Sequence, residues 1–114
     1  MDSRIQKVTV LMEKNPCRAL SLRELAASIN LSVSRLRLLF KAVTGISLIQ
    51  YSKLLRMQEA KSLLETSFLP VKQIVARTGF NDVSHFVRDF KKAYGMTPKQ
   101  YREWYHMHPA RQIK

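Results

Sequence analysis

Two short stretches of the chain carry side chains suited to the edges of nucleic-acid bases. Ser34, Arg37 and Leu38 form one group; Ser84 and Arg88 form the other. An arginine presents two parallel donors that match the O6 and N7 acceptors of guanine. A serine bonds to several base edges or to a phosphate, and an apolar group packs on a thymine methyl. Leu38 is a large apolar residue on an otherwise polar face, so it reads either as such a methyl contact or as an ordinary exposed leucine. His85 reads either as a phosphate contact or as filler. Around these groups stand Arg35, Lys41, Lys72, Lys91 and Lys92, cations suited to phosphate oxygens. Catalytic chemistry is not expected. Cys17, His85, His106 and His108 are too few and too scattered for a metal site. There is no glycine-rich phosphate loop, and no nucleophile with a base at a known spacing. No cofactor is expected, and the chain is read as a non-enzyme.

The elements that must position these residues are helices. Gly45, Gly79 and Gly95, with Pro16, Pro70, Pro98 and Pro109, fall at the edges of apolar-periodic segments, and no segment alternates with period two for long enough to argue a sheet. A first helix is predicted from Ser3 to Lys14, with Ile5, Val8, Leu11 and Met12 on one face. A second opens at Ser21 with Glu24 completing a capping box, and carries Leu22, Leu25, Ala26 and Ile29 at helical spacing. A third follows Ser32 and ends at Gly45. A long helix runs from about Ser47 to Glu65, and Pro70 opens a fifth with Val71, Ile74, Val75 and Thr78 on one side. The sixth runs from about Asp82 to Tyr94, with Val83, Phe86, Val87 and Phe90 facing in. Thr97-Pro98-Lys99-Gln100 starts a seventh, whose apolar side is Tyr101, Trp104 and Tyr105.

The halves repeat. Phe40-Lys41 recurs as Phe90-Lys91, Gly45-Ile46-Ser47 as Gly95-Met96-Thr97, and Gln50-Tyr51 as Gln100-Tyr101. Upstream the offset drops by one: Leu25 matches Ile74 and Asn30 matches Gly79, so the second turn is one residue longer. The repeated unit is a helix-turn-helix, with Ala26 and Ala76 at the helix crossings and Asn30 and Gly79 in the tight turns. Around the third helix, Leu36, Leu39, Phe40 and Val43 take one side. They leave Ser34, Arg37, Leu38 and Lys41 outward, with Arg35 on the flank. Around the sixth, Ser84, Arg88 and Lys91 point outward, with His85 and Lys92 on the flanks. A long helix of about 20 residues makes a rod of roughly 30 Å, close to the ~34 Å between successive major grooves on one side of B-DNA.

Twenty Lys and Arg against eight Asp and Glu leave a net charge of +12 on 114 residues. Such a field attracts polyanions, nucleic acid before acidic membrane or protein. A hydrophobic fraction of 46% is enough for a packed core. A single cysteine excludes an internal disulfide and suits a reducing cytoplasm. No apolar run is long enough to span a bilayer, and no membrane role is expected. Duplex DNA is the expected partner. An RNA-binding module is the alternative, and would normally offer exposed aromatics for stacking.

The stretch from Ile74 to Tyr101, with Gly79-Phe80, Phe86, Phe90-Lys91, Gly95, Thr97-Pro98 and Tyr101-Arg102, resembles the AraC/XylS family of bacterial regulators. The first unit agrees less tightly, through Leu25-Ala26 and Phe40-Lys41, and the resemblance covers residues 5 to 105. It implies an all-α fold of about seven helices, with two helix-turn-helix subdomains bridged by one long helix. The boundaries expected are 1–46 for the first subdomain, 47–66 for the linker helix, 67–105 for the second subdomain and 106–114 for a flexible tail. The resemblance also implies transcription control at promoter DNA, commonly activation through contact with RNA polymerase. Carried onto this sequence, its base-reading positions are Ser34, Arg37, Leu38, Ser84, His85 and Arg88. Members often have a polar or basic residue where Leu38 stands. They usually add a sensor or dimerisation domain, for which 114 residues leave no room. A monomer is therefore expected for this segment, with dimerisation left to such a domain.

Overall fold

The computed structural model of the protein describes residues 2–14 and 21–108 and contains, among them, seven helices and no strand. They are α1 Ser3–Lys14, α2 Leu22–Ser28, α3 Val33–Thr44, α4 Leu48–Thr66, α5 Val71–Arg77, α6 Val83–Tyr94 and α7 Pro98–Met107. The hydroxyls of Ser21 and Ser32 cap α2 and α3 by accepting from the backbone N–H of Glu24 (3.0 Å) and Arg35 (3.2 Å). Gly45 and Gly95 end α3 and α6 in the left-handed conformation, donating to the carbonyls of Lys41 and Lys91 at 2.8 and 2.7 Å. Each is followed by a reciprocal capping box. Ser47 with Gln50 and Thr97 with Gln100 exchange side-chain and backbone bonds at the same pair of distances, 3.0 and 3.1 Å.

Contacts divide the chain into two compact units, Met1–Leu55 and Arg56–Lys114, so the division falls inside α4. The first core contains Ile5, Val8 and Met12 of α1, Leu25, Ala26 and Ile29 in and after α2, Leu36 and Phe40 of α3, and Leu48 and Leu55 of α4. The second contains Met57, Ala60 and Leu64 of α4, Ile74 and Val75 of α5, Phe86 and Phe90 of α6, and Tyr101 of α7. Thus α4 is not a bare spacer over 47–66; its first half closes one core and its second half opens the other. The repeat consequently reaches further than the helix-turn-helix. Ile5, Val8, Met12 and Glu13 correspond to Met57, Ala60, Leu64 and Glu65 at a constant offset of 52.

The same latch closes each unit. Tyr51 Oη donates to Glu13 at 2.9 Å, and Tyr101 Oη to Glu65. The two tyrosine rings lie against Phe40 and Phe90, with centroids 5.5 and 5.8 Å apart. Burial first, and then the carboxylate beside the hydroxyl, pushes the Tyr51 phenol up to about 12. Burial and Glu65 raise that of Tyr101 in the same way.

The tight turns use one conformation at two residue types. Asn30 (φ 57) and Gly79 (φ 80) are both left-handed, and the next residue's N–H returns to the preceding helix: Leu31 to Ala26 (3.0 Å), Phe80 to Val75 (3.2 Å). That register corrects two sequence expectations. Val75, not Ala76, is the counterpart of Ala26; Val75 is buried and Ala76 is exposed. Val83, expected to face in, is 39% exposed although it shares a face with the buried Phe86 and Phe90, because it is the first residue of α6 and no earlier turn covers it. Helix α7 also continues beyond 105 to Met107, where His108 stacks on Trp104 (centroids 5.0 Å). Pro16, Cys17 and the tail from 109 lie outside the described residues.

Phe90 packs against Phe86, Tyr94 and Tyr101 with centroids 4.7–5.8 Å apart. Phe90→Ala is expected to cost about 3–5 kcal/mol and to lower the thermal midpoint steeply. An unchanged midpoint would show that the ring is not an anchor of the second unit.

Candidate nucleic-acid interface

Helix α3 is held by Leu36 and Phe40, both fully buried four residues apart. With that side fixed, Ser34, Arg35, Arg37, Leu38 and Lys41 are all exposed. Ser34, Leu38 and Lys41, at i, i+4 and i+7, form the outward stripe, and Leu38 in its middle is 71% exposed. In α6 the anchors are Phe86 and Phe90, and Ser84, His85, Arg88, Lys91 and Lys92 are exposed. Ser84, Arg88 and Lys91 repeat the outward stripe. Lys72 is exposed in the first turn of α5. All eleven sequence-predicted site residues are therefore solvent-accessible, and within each unit they gather on the second helix of the motif, apart from Lys72.

The repeat refines how they correspond. Leu38 and Arg88 share the central position, and Arg35 corresponds to His85. Arg37 corresponds to Val87, which is half-buried on the flank of α6, so the two units do not offer the same pattern. The helix that follows each motif adds a matched pair of exposed residues. Exposed Ile49 and Lys99 occupy matching places in the first turns of α4 and α7. The repeated capping boxes that bracket them, Ser47 with Gln50 and Thr97 with Gln100, are the sequence signal for this pair.

The start of α6 is anionic where that of α3 is neutral. Asp82 Oδ1 accepts from the backbone N–H of Ser84 (2.7 Å) and His85 (3.2 Å). The His85 and then the Ser84 backbone donors hold its carboxyl below the usual aspartate value, with the charges of His85 and Arg88 adding to the effect. Among the described residues, no three or more His, Cys, Asp or Glu side chains gather to hold a metal ion. None of the described helices is long and apolar enough to cross a membrane.

Two capped, one-sided helices, each delivered by a short helix and a left-handed turn, define a duplicated helix-turn-helix domain. A family profile described as "Helix-turn-helix domain" matches residues 25–103, and the chain belongs to the AraC-type helix-turn-helix family. Its similarity to the arabinose operon regulatory protein of Salmonella typhimurium is 32% identity over 103 residues, which is 90% of this chain and 37% of that protein. The chain thus spans about a third of the length of such relatives. Among solved structures it is similar to the C-terminal domain of the two-component response regulator yesN from Fusobacterium nucleatum. There the identity is 34% and the TM-score 0.74, covering 89% of this chain and 99% of that one. The fold also matches the DNA-binding domain of AdpA, solved in complex with a target DNA. That match has 24% identity and a TM-score of 0.79, covering 97% of this chain and 98% of that one.

Because the Asp82 carboxyl is held below its usual value, its contribution to α6 is complete above the usual range and is lost as pH falls through the folded-state value. Asp82→Ala is expected to melt below the wild-type protein at neutral pH. The gap between the two should close below about pH 4, as read from thermal melts across the acid range.

Proposed function

We propose that this chain is the DNA-gripping part of a bacterial transcription regulator, and that α3 and α6 each enter a major groove of duplex DNA. The observation that carries the reading is the one-sidedness of these helices. Leu36 with Phe40, and Phe86 with Phe90, use the buried side. Ser34, Leu38 and Lys41, and Ser84, Arg88 and Lys91, are left on the other. A net charge of +12 supports it, as does the fold shared with a domain solved on its target DNA. In this reading Ser34, Arg37, Leu38, Ser84, His85 and Arg88 contact bases, while Arg35, Lys41, Lys72, Lys91 and Lys92 contact the phosphate backbone. Both units engage one duplex in successive grooves. Activation through RNA polymerase, a cytoplasmic location, a monomeric state for this segment and the absence of catalysis complete the proposal. The regulatory names of the relatives above support the transcriptional role.

Two measurements test it. Arg88→Ala should cost about 1–3 kcal/mol on the preferred duplex and flatten discrimination at one base pair. Lys72→Ala should instead weaken all sequences alike and reduce the slope of log affinity against log salt by about one unit. Uniform loss in Arg88→Ala would remove it from base reading, and a nearly flat salt response of the wild-type protein would remove DNA altogether.

Inserting five base pairs between the two half-sites turns one groove to roughly the opposite side of the duplex. Affinity should then fall towards that of a single unit. Undiminished binding would mean that one unit suffices.

A further inference from the structure

The two units differ at matched exposed positions. Leu38 stands where the second unit has Arg88, Ala42 where it has Lys92, and Ile49 where it has Lys99. Three cationic positions of one unit are three apolar positions of the other, all of them exposed. Leu38 and Ile49 are 71% and 73% exposed. With Leu22 of α2 and Ala42 they line a groove of about 370 Å³ beside α3 and the start of α4, whose wall also includes Arg37, Lys41, Ser47 and Leu48. The groove is continuous with the outward stripe of α3, because Leu38 belongs to both. Lys41 in its wall is a cation suited to a flanking phosphate.

We propose that this groove reads thymine: Leu38 seats against a thymine 5-methyl group, and Ala42 and Ile49 extend the apolar surface beside it. The inference rests on the duplex-DNA reading above. Among the major-groove edges of the four bases, only thymine offers a methyl, and guanine, adenine and cytosine offer donors and acceptors that a leucine cannot satisfy. At the same place Arg88 carries the paired donors that suit guanine. At this one matched position the duplicated units therefore differ in the chemistry of recognition, apolar in the first and hydrogen-bonding in the second.

The test starts from a duplex selected from a random pool by the full chain. Each thymine is then replaced in turn by deoxyuridine, which removes the methyl and leaves the hydrogen-bonding edge unchanged. Burial of one methyl corresponds to about a fourfold change in affinity, so one or two positions should lose about three- to fivefold. Leu38→Ala, a surface change whose fold is checked by thermal melting, should bind thymine and uracil equally at those positions. It should also keep the discrimination that depends on Arg88. Leu38→Met should retain the methyl preference. If every uracil replacement is neutral for the wild-type protein, or if the methyl effect persists in Leu38→Ala, the proposal is overturned while duplex binding stands. If no duplex is selected above background, the DNA reading fails and takes the proposal with it.

Discussion

A helix twelve residues long has no intrinsic front, and whatever it presents outward depends on what pins its rotation. In α3 and α6 the pin is a pair of large side chains one turn apart, Leu36 with Phe40 and Phe86 with Phe90, each fully excluded from water. Burial of groups of this size is worth about 1.5–3 kcal/mol apiece. A rotation large enough to bring Arg88 inward would expose two aromatic rings and bury a guanidinium without a partner, a cost no surface contact offsets. The identity of the outward residues follows from that asymmetry alone.

The rest of each unit holds these anchors in place. The opening helix supplies a carboxylate, Glu13 or Glu65, and the closing helix supplies a tyrosine, Tyr51 or Tyr101, that donates to it. The tyrosine ring in turn lies against Phe40 or Phe90. The left-handed glycine and reciprocal capping box that precede each tyrosine end one helix and start the next within three residues. The chain direction is thus set at the point where the latch must reach back. In the second unit Lys61 adds its ammonium over the Tyr94 and Tyr101 rings at 5.3 and 5.7 Å.

Much of this was legible in the sequence, and for identifiable reasons. Caps, glycine stops and apolar spacing are local signals, so the helices were recovered with ends displaced by a residue or two. The outward residues followed from the same spacing. What escaped depended on register or on distant contacts. Ala76 looks like the small residue a crossing needs, but the bond from Phe80 to Val75 places the valine there. Val83 fits the apolar pattern of α6, yet it is the first residue of the helix, where no earlier turn covers it. The extension of the repeat into α1 was invisible because Ile5, Val8 and Met12 share no identity with Met57, Ala60 and Leu64. They share only a role. The groove beside Leu38 joins residues from two helices, which no single periodicity can reveal.

Helix α4 has two owners. Leu55 belongs to one core and Met57 to the other, with a single residue between them. Duplicated proteins are commonly thought of as beads that can be exchanged at the string. Here there is no string, because the seam runs through a continuous stretch of hydrogen-bonded backbone. Any recombination of this first half with a foreign second half must cross over within that helix, because Leu55 has to stay with the first core and Met57, Ala60 and Leu64 with the second. New pairings of such halves are therefore open only to partners that already share this helix.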